Sequence, residues 1–340
     1  MPSLQKQHSA FTLVEILTAT AIMMILIVAI LRISVDAFRA YESATAMLAT
    51  SAESRDVIVP LQQDIESAII RNDGNTWIQI EHEADDYQGN LNLGSSPKLM
   101  LFTPAPDRVK YENGQAVQIP GDVCAVHYRI AHRSPHIQTA DPSQCIYGFY
   151  RSIVDAQASF DTALPIALNP KNKNDGLLEF WRGSADVLDR ENKRVSQDLQ
   201  DWIHDLHNFR ASHIVGLSFS IWYYELSDPT NPRLEVLVHS DFASDLQNNL
   251  GKAGLDIQVQ NYTRSLKIAN GSISIDGAAP KENIQFKNIS FSVTVLSPEG
   301  AKILRGLQQS LSSPKIPQAK FDEVVLQNSH TFTGSARVGL

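Results

Sequence analysis

The sequence predicts an α+β protein: a long amino-terminal helix, apolar over its first part, followed by a β-rich globular domain. Three observations carry this expectation. The run from Phe11 to Leu31 is apolar and holds no charge between Ile16 and Leu31. No glycine occurs before Gly74, and only Pro2 and Pro60 precede it, so little interrupts a helix there. From Thr76 onward, short runs rich in Val, Ile, Phe and Tyr alternate with Pro, Gly, Asn and Asp, which is strand-and-turn chemistry.

Residues 1–10 form a short polar leader carrying Lys6 and His8. The segment 11–31 then matches the roughly 20 residues that a bilayer requires. Beyond Arg32 the pattern becomes amphipathic, with Val35, Phe38, Tyr41, Thr45 and Leu48 at helical spacing. Ile58, Leu61, Ile65 and Ile69 continue that spacing out of phase, and the slip falls near Ala49-Thr50-Ser51-Ala52. Pro60 lacks an amide donor and crowds Asp56, which predicts a kink or break around 56–60. Asn72-Asp73-Gly74 reads as the stop, giving a helix over 11–71 that would be about 90 Å long if unbroken.

Strands are expected at Trp77–Ile80, Lys98–Thr103, Val123–His132, Ile146–Val154, Leu177–Trp181, Ile214–Leu226, Leu234–His239, Ile289–Leu296, Val324–Leu326 and Thr331–Val338. Val215, Leu217, Phe219, Ile221 and Tyr223 alternate with smaller or polar residues, so that strand should bury one face. Ser196–Asn208 and Pro298–Leu311 read as helices. Residues 72–340 thus read as one β-rich domain without an internal repeat.

Composition narrows the function. The 340 residues carry a formal charge of −8 and a pI near 5.7, without the broad basic footprint that grips phosphate backbones. No nucleic-acid partner is expected. Lys6 precedes the apolar span, which favours a cytoplasmic amino end and an extracytoplasmic domain.

Glu15 is the anomaly in the apolar segment. An ionised carboxylate near the centre of a membrane helix costs about 2.5–3.5 kcal/mol, so its presence calls for a partner. The run Phe11-Thr12-Leu13-Val14-Glu15-Ile16-Leu17, preceded by the small Ala10, resembles the cleavage and methylation motif of the type IV pilin and pseudopilin superfamily. That family usually places Gly where Ala10 stands here. The resemblance implies that a membrane-embedded prepilin peptidase cuts between Ala10 and Phe11 and methylates the Phe11 amine. It also implies that Glu15 pairs with the amino terminus of a neighbouring subunit during filament assembly. Two plainer readings stand beside it. In a simple signal anchor, Glu15 would sit at the headgroup boundary. A cleaved secretory signal, ending near Ala44-Thr45-Ala46, fits less well because such cores are about 7–15 residues long.

The chain is larger than most pilins, and its later segments resemble the J-type minor pseudopilins of type II secretion systems. Leu61-Gln62-Gln63-Asp64-Ile65 resembles the end of their helix, and Tyr147-Gly148-Phe149-Tyr150-Arg151 one of their strands. Gly121-Asp122-Val123-Cys124-Ala125-Val126 and Phe219-Ser220-Ile221-Trp222 also look like the Verru_Chthon cassette prepilin-like proteins of Verrucomicrobia and Planctomycetes. The J-type resemblance implies a pilin-like domain of two antiparallel sheets. The expected partners are the prepilin peptidase, other pilin or pseudopilin subunits, and the inner membrane through the helix. The expected function is a minor subunit of a type IV filament or type II secretion pseudopilus, acting in assembly or at the tip. The alternatives are a filament-displayed adhesin or ligand-binding module, and a membrane-anchored enzyme.

Cys124 and Cys145 are the only cysteines, and an oxidising compartment permits a disulfide between them worth about 3 kcal/mol. Two buried thiols that never meet are the alternative. His127, His132 and His136 cluster in sequence, as do His204 and His207 near Asp201 and Asp205, but neither set supplies the converging ligands of a zinc site. No nucleophile elbow, phosphate loop, His-Glu-x-x-His helix or Cys-x-x-Cys pair occurs. No metal, cofactor or catalytic residue is therefore expected.

Overall fold

Helix α1 is one element of 54 residues, Leu13–Glu66, and it continues through Pro60. The computed structural model describes residues 13–71, 76–81, 97–104, 109–112, 115–118, 123–133, 145–153, 159, 208–228, 230, 232–239, 258–262, 265–269, 271–275, 280–311 and 316–338. The chain divides into two compact units, Met1–Leu48 and Ala49–Leu340, with the boundary inside α1.

Of the kink or break expected around 56–60, the break is absent. Asp56, whose carbonyl loses its donor to the proline ring, is exposed, so water can satisfy it. Val57 and Leu61, on either side of Pro60, are fully buried and hold the helix in place by packing. The helix stops at Glu66, before the expected Arg71. The backbone is claimed by a sheet instead, because the Ile69 amide donates to the Phe102 carbonyl at 2.8 Å. Asn72-Asp73-Gly74, the expected stop, lies outside the described residues.

After α1 come β1 (Ile78–Glu81), β2 (Lys98–Thr103), β3 (Val109–Glu112), β4 (Gln115–Gln118), β5 (Cys124–Arg133), β6 (Ile146–Ile153), β7 (Phe209–Ser212) and β8 (Ile214–Glu225). They continue with β9 (Arg233–His239), β10 (Gln258–Tyr262), β11 (Ser265–Ala269), β12 (Ser272–Ile275), β13 (Lys281–Glu282) and β14 (Ile284–Leu296). Helices α2 (Pro298–Leu311) and α3 (Gln318–Asn328) precede the last strand, β15 (Ser329–Ala336).

Two open sheets organise the described strands. One has eight strands in the order β13-β12-β11-β1-β2-β5-β6-β7, the other five in the order β10-β9-β8-β14-β15, and β3 and β4 form a separate ribbon. Pairing is antiparallel throughout except between β9 and β10, which run parallel. The α+β class and the two open sheets match expectation; the parallel pair and the ribbon were not anticipated.

The sheets are joined at both edges of the larger one. Strand β7 passes through His213 into β8, and β13 passes through Asn283 into β14. Both single-residue corners are left-handed, with φ of 60° and 57°. Each corner carbonyl is used: His213 accepts from the Leu296 amide and Asn283 from the Leu226 amide, both at 2.8 Å. Because β8 and β14 are neighbours, the edge strands of one sheet feed the centre of the other. Asparagine is among the residues that tolerate the left-handed region, and histidine is also enriched there.

One apolar core runs through the globular unit. It includes Val57, Leu61 and Ile65 of α1, Leu101, Tyr128 and Phe149 of the larger sheet, Phe219, Ile221 and Phe291 of the smaller, and Leu304 and Phe321 of the two later helices. Each such side chain contributes about 1.5–3 kcal/mol when removed from water. The Val324–Leu326 segment, expected as a strand, is helical within α3. Phe321 and Val324 face the core one helical turn apart while Leu326 is exposed, a period of three rather than two. Leu177–Trp181 and most of Ser196–Asn208 lie outside the described residues.

Candidate functional site

The first unit presents an apolar helix with one acid at its start. Leu13, Ile16, Leu17, Met24 and Leu31 are all exposed, and none of the membrane-length window is buried within the molecule. This is a single helix, among the described residues, long and apolar enough to cross a membrane or to serve as a signal segment. Glu15 lies in its first turn, where a carboxylate is favoured by the unpaired amides and the positive end of the helix dipole. Thr18, one turn on, donates its hydroxyl to the carbonyls of Val14 and Glu15, both at 3.0 Å. Threonine thereby hides its polar group in an apolar stretch. Ala10 and Phe11, the expected cleavage pair, lie outside the described residues.

Within the globular unit, α1 is fastened by polar groups at successive positions. Glu53 accepts from the Ser212 backbone amide at 2.7 Å and from its hydroxyl at 2.6 Å. Asp64 receives Arg151 through Nε at 2.8 Å and Nη2 at 3.0 Å, one bond to each carboxylate oxygen. Tyr128 donates its hydroxyl to Asp64 and accepts from Arg151 Nε at 2.9 Å, closing a triangle. Ser67, just past the helix, shares a 2.7 Å hydrogen bond with Thr103. The partners pass from β7 to β6 and β5 and then to β2, which is the strand order of the sheet. The end of α1 therefore crosses the sheet, held at each step.

Asp64 and Arg151 are each 1% exposed, so no solute reaches them. Burial holds the Tyr128 phenol well above its usual pKa, with Asp64 adding to the rise and Arg151 opposing it. The phenol stays protonated and remains a donor. A buried carboxylate engaged on both oxygens by one guanidinium, in a triangle closed to solvent, reads as a fastening rather than an active site. No signal short of the fold would have brought Asp64, Tyr128 and Arg151 together.

A second polar cluster ties the two sheets. Tyr223 on β8 donates to Glu235 on β9 at 2.5 Å, and Lys281 on β13 donates to the same carboxylate oxygen at 2.7 Å. Burial, then the Glu235 hydrogen bond and charge, push the Tyr223 phenol above its ordinary range. Lys281 belongs to the larger sheet and Glu235 to the smaller, so this pair braces the Asn283 corner.

No family model, curated protein or solved structure matches this chain.

Of the two alternatives for Cys124 and Cys145, a disulfide or two thiols that never meet, the structure has the thiols. The register explains it. Arg133 lies opposite Ile146, so Cys145 sits beside the far end of β5 from Cys124, at its start. About ten residues at roughly 3.3 Å each separate the two levels, whereas a disulfide needs Cα atoms within about 7 Å. Cys124 is buried and Cys145 is partly so.

The described histidines do not converge on a metal. Among the described residues, no group of three or more His, Cys, Asp or Glu is placed to hold one. His127 is buried on β5, where burial and the Lys98 charge hold its pKa down at about 3. His132 stacks near Tyr147 with ring centroids 4.4 Å apart and shares a 3.3 Å hydrogen bond with Gln308 of α2. Burial lowers it to about 4. His136, His204 and His207 lie outside the described residues.

Proposed function

We propose that the chain is a minor pilin-like (pseudopilin) subunit of a type IV filament or type II secretion pseudopilus, contributing to assembly or tip structure. The observation that carries this reading is the run Phe11–Leu17 with Glu15 at the head of an exposed apolar helix. The amino end lies in the cytoplasm, the helix spans the inner membrane, and the globular domain is extracytoplasmic. A prepilin peptidase removes residues 1–10 and methylates Phe11.

Glu15 then has a defined task. In the bilayer its carboxylate is offset by the amine at Phe11 of an adjacent subunit, which sets axial register as the helix leaves lipid for a helical bundle. The fastening of α1 to the sheet by Glu53, Asp64 and Ser67 supports this role, because a subunit drawn along by its helix must carry its domain with it. The large domain suits a tip or surface position, where bulk is not repeated along a shaft. The test is Glu15→Ala in cells that assemble the filament. Loss of the subunit from sheared filaments, with normal membrane levels, is expected. Unchanged incorporation would remove the registering role.

A further inference from the structure

We propose that the edge of β15 pairs with β15 of a second copy of this chain, antiparallel about a two-fold axis through Phe332, fusing two five-stranded sheets into one. Among the described strands, β15 is terminal in its sheet order. Its pairing with β14 runs without a bulge from Ser329 opposite Leu296 to Ala336 opposite Ile289.

The backbone groups facing outward follow from the register. The Ser297 amide donates to the Asn328 carbonyl at 2.7 Å, so Asn328 points toward β14. Successive residues in a strand alternate direction, hence the even-numbered residues of β15 bond β14. The amides and carbonyls of Ser329, Thr331, Thr333 and Ser335 therefore point away from it. Thr331, Thr333 and Ser335 are exposed, whereas Phe332 packs partly against the core.

Protein edges of this length usually carry a charge, a proline, a bulge or a cover. β15 reads Ser-His-Thr-Phe-Thr-Gly-Ser-Ala, with no Lys, Arg, Asp, Glu or Pro. The edges of the larger sheet differ. β7 has four residues and β13 two, and each turns through a corner into the other sheet.

The residue pattern selects a second copy over an unrelated strand. The outward residues spell Ser-Thr-Thr-Ser, which reads the same in both directions. Antiparallel pairing centred on Phe332 sets Thr331 against Thr333 of the partner subunit and Ser329 against Ser335 of the partner subunit. All four outward residues then exchange hydrogen bonds in the hydrogen-bonded sites. Phe332 meets Phe332 of the partner subunit at the non-hydrogen-bonded site, where side chains approach more closely. Hydroxyl pairs and aromatic pairs are favourable cross-strand neighbours.

This inference needs only the globular unit and stands whether or not the chain enters a filament. The test uses the full chain in lipid nanodiscs or detergent. A mixture of Thr331→Cys and Thr333→Cys proteins should form disulfide-linked dimers several-fold faster than either alone, and the parent chain none. Thr333→Pro deletes an outward amide without touching the β14 ladder, and should weaken dimerisation at least tenfold with an unchanged melting midpoint. Should that variant misfold, charge exchange replaces it. Thr331→Lys/Thr333→Lys and Thr331→Glu/Thr333→Glu proteins should each be monomeric and their mixture dimeric. A parent chain that stays monomeric, a dimer that persists in the Pro and Lys variants, or cross-linking to a different protein's strand would each overturn the proposal.

Discussion

The two stretches of α1 share one helical backbone but not one solvent. From Leu13 to Leu48 the large apolar side chains are exposed, with Leu13 at 76% and Phe38 at 70%. From Thr50 to Ile65 a face made of Thr50, Ser54, Val57, Leu61, Asp64 and Ile65 is buried in the globular unit. The difference teaches that helix length and apolarity do not define the packed part. A face that combines small residues, the aliphatic side chains of Val57, Leu61 and Ile65, and well-placed polar groups does. Thr50 and Ser54 allow close approach, and Asp64 supplies a charge that only a buried guanidinium can accommodate.

That contrast can be broken most forcefully at Arg151. Arg151→Ala leaves the Asp64 carboxylate buried without its guanidinium and should cost about 3–5 kcal/mol in urea unfolding of the globular unit. Replacing the whole triangle, Asp64→Leu with Tyr128→Phe and Arg151→Met, should recover most of that loss, because the buried pair contributes little net stability and no hydroxyl is left without its partners. If Arg151→Ala unfolds at the wild-type denaturant midpoint, the triangle does not fasten the helix.

A matched pair of truncations sharpens the comparison. Leu61→Ala should cost about 2–5 kcal/mol, whereas Phe38→Ala should change the unfolding free energy of the globular unit by less than about 0.5 kcal/mol. Equal effects would mean that the two stretches are not differently solvated. Glu53→Ala removes the acceptor for two Ser212 donors and should cost about 1–3 kcal/mol by the same assay.

Acid offers the gentlest perturbation. His127 and His132 have folded pKa values near 3 and 4 against an ordinary 6.5. Well above pH 6.5 both are neutral in either state, so stability there is independent of them. As pH falls from 6.5 toward 4, the unfolded chain takes up protons that the folded chain refuses, and stability declines. His132→Gln should flatten that slope between pH 6.5 and 4 in melting measurements; an unaltered slope would place the titration elsewhere.

Much of the fold was legible because its signals are local. Lys98–Thr103 and Pro298–Leu311 were expected with the bounds observed, and the alternation in β8 marked its buried face. What failed depends on distant partners. Pro60 sits in an unbroken helix because Val57 and Leu61 pack beside it, and Val324–Leu326 is helical because Phe321 and Val324 share a core-facing side. β7 and β13 are too short to show a period. The Cys124–Cys145 bond was plausible by loop length and is prevented by strand register. The Asp64, Tyr128 and Arg151 triangle joins residues 64 and 87 positions apart from Asp64, beyond any spacing rule. Glu15 is the opposite case, since its place at the head of an apolar helix is readable from its neighbours alone.

The reading of this chain as a pilin-like subunit turns on its mature amino terminus. Intact-mass and peptide mass spectrometry of the protein purified from its native membrane should find a chain that begins at Phe11 and carries an N-methyl group. A chain retaining residues 1–10, or one cut after Ala46, would contradict it.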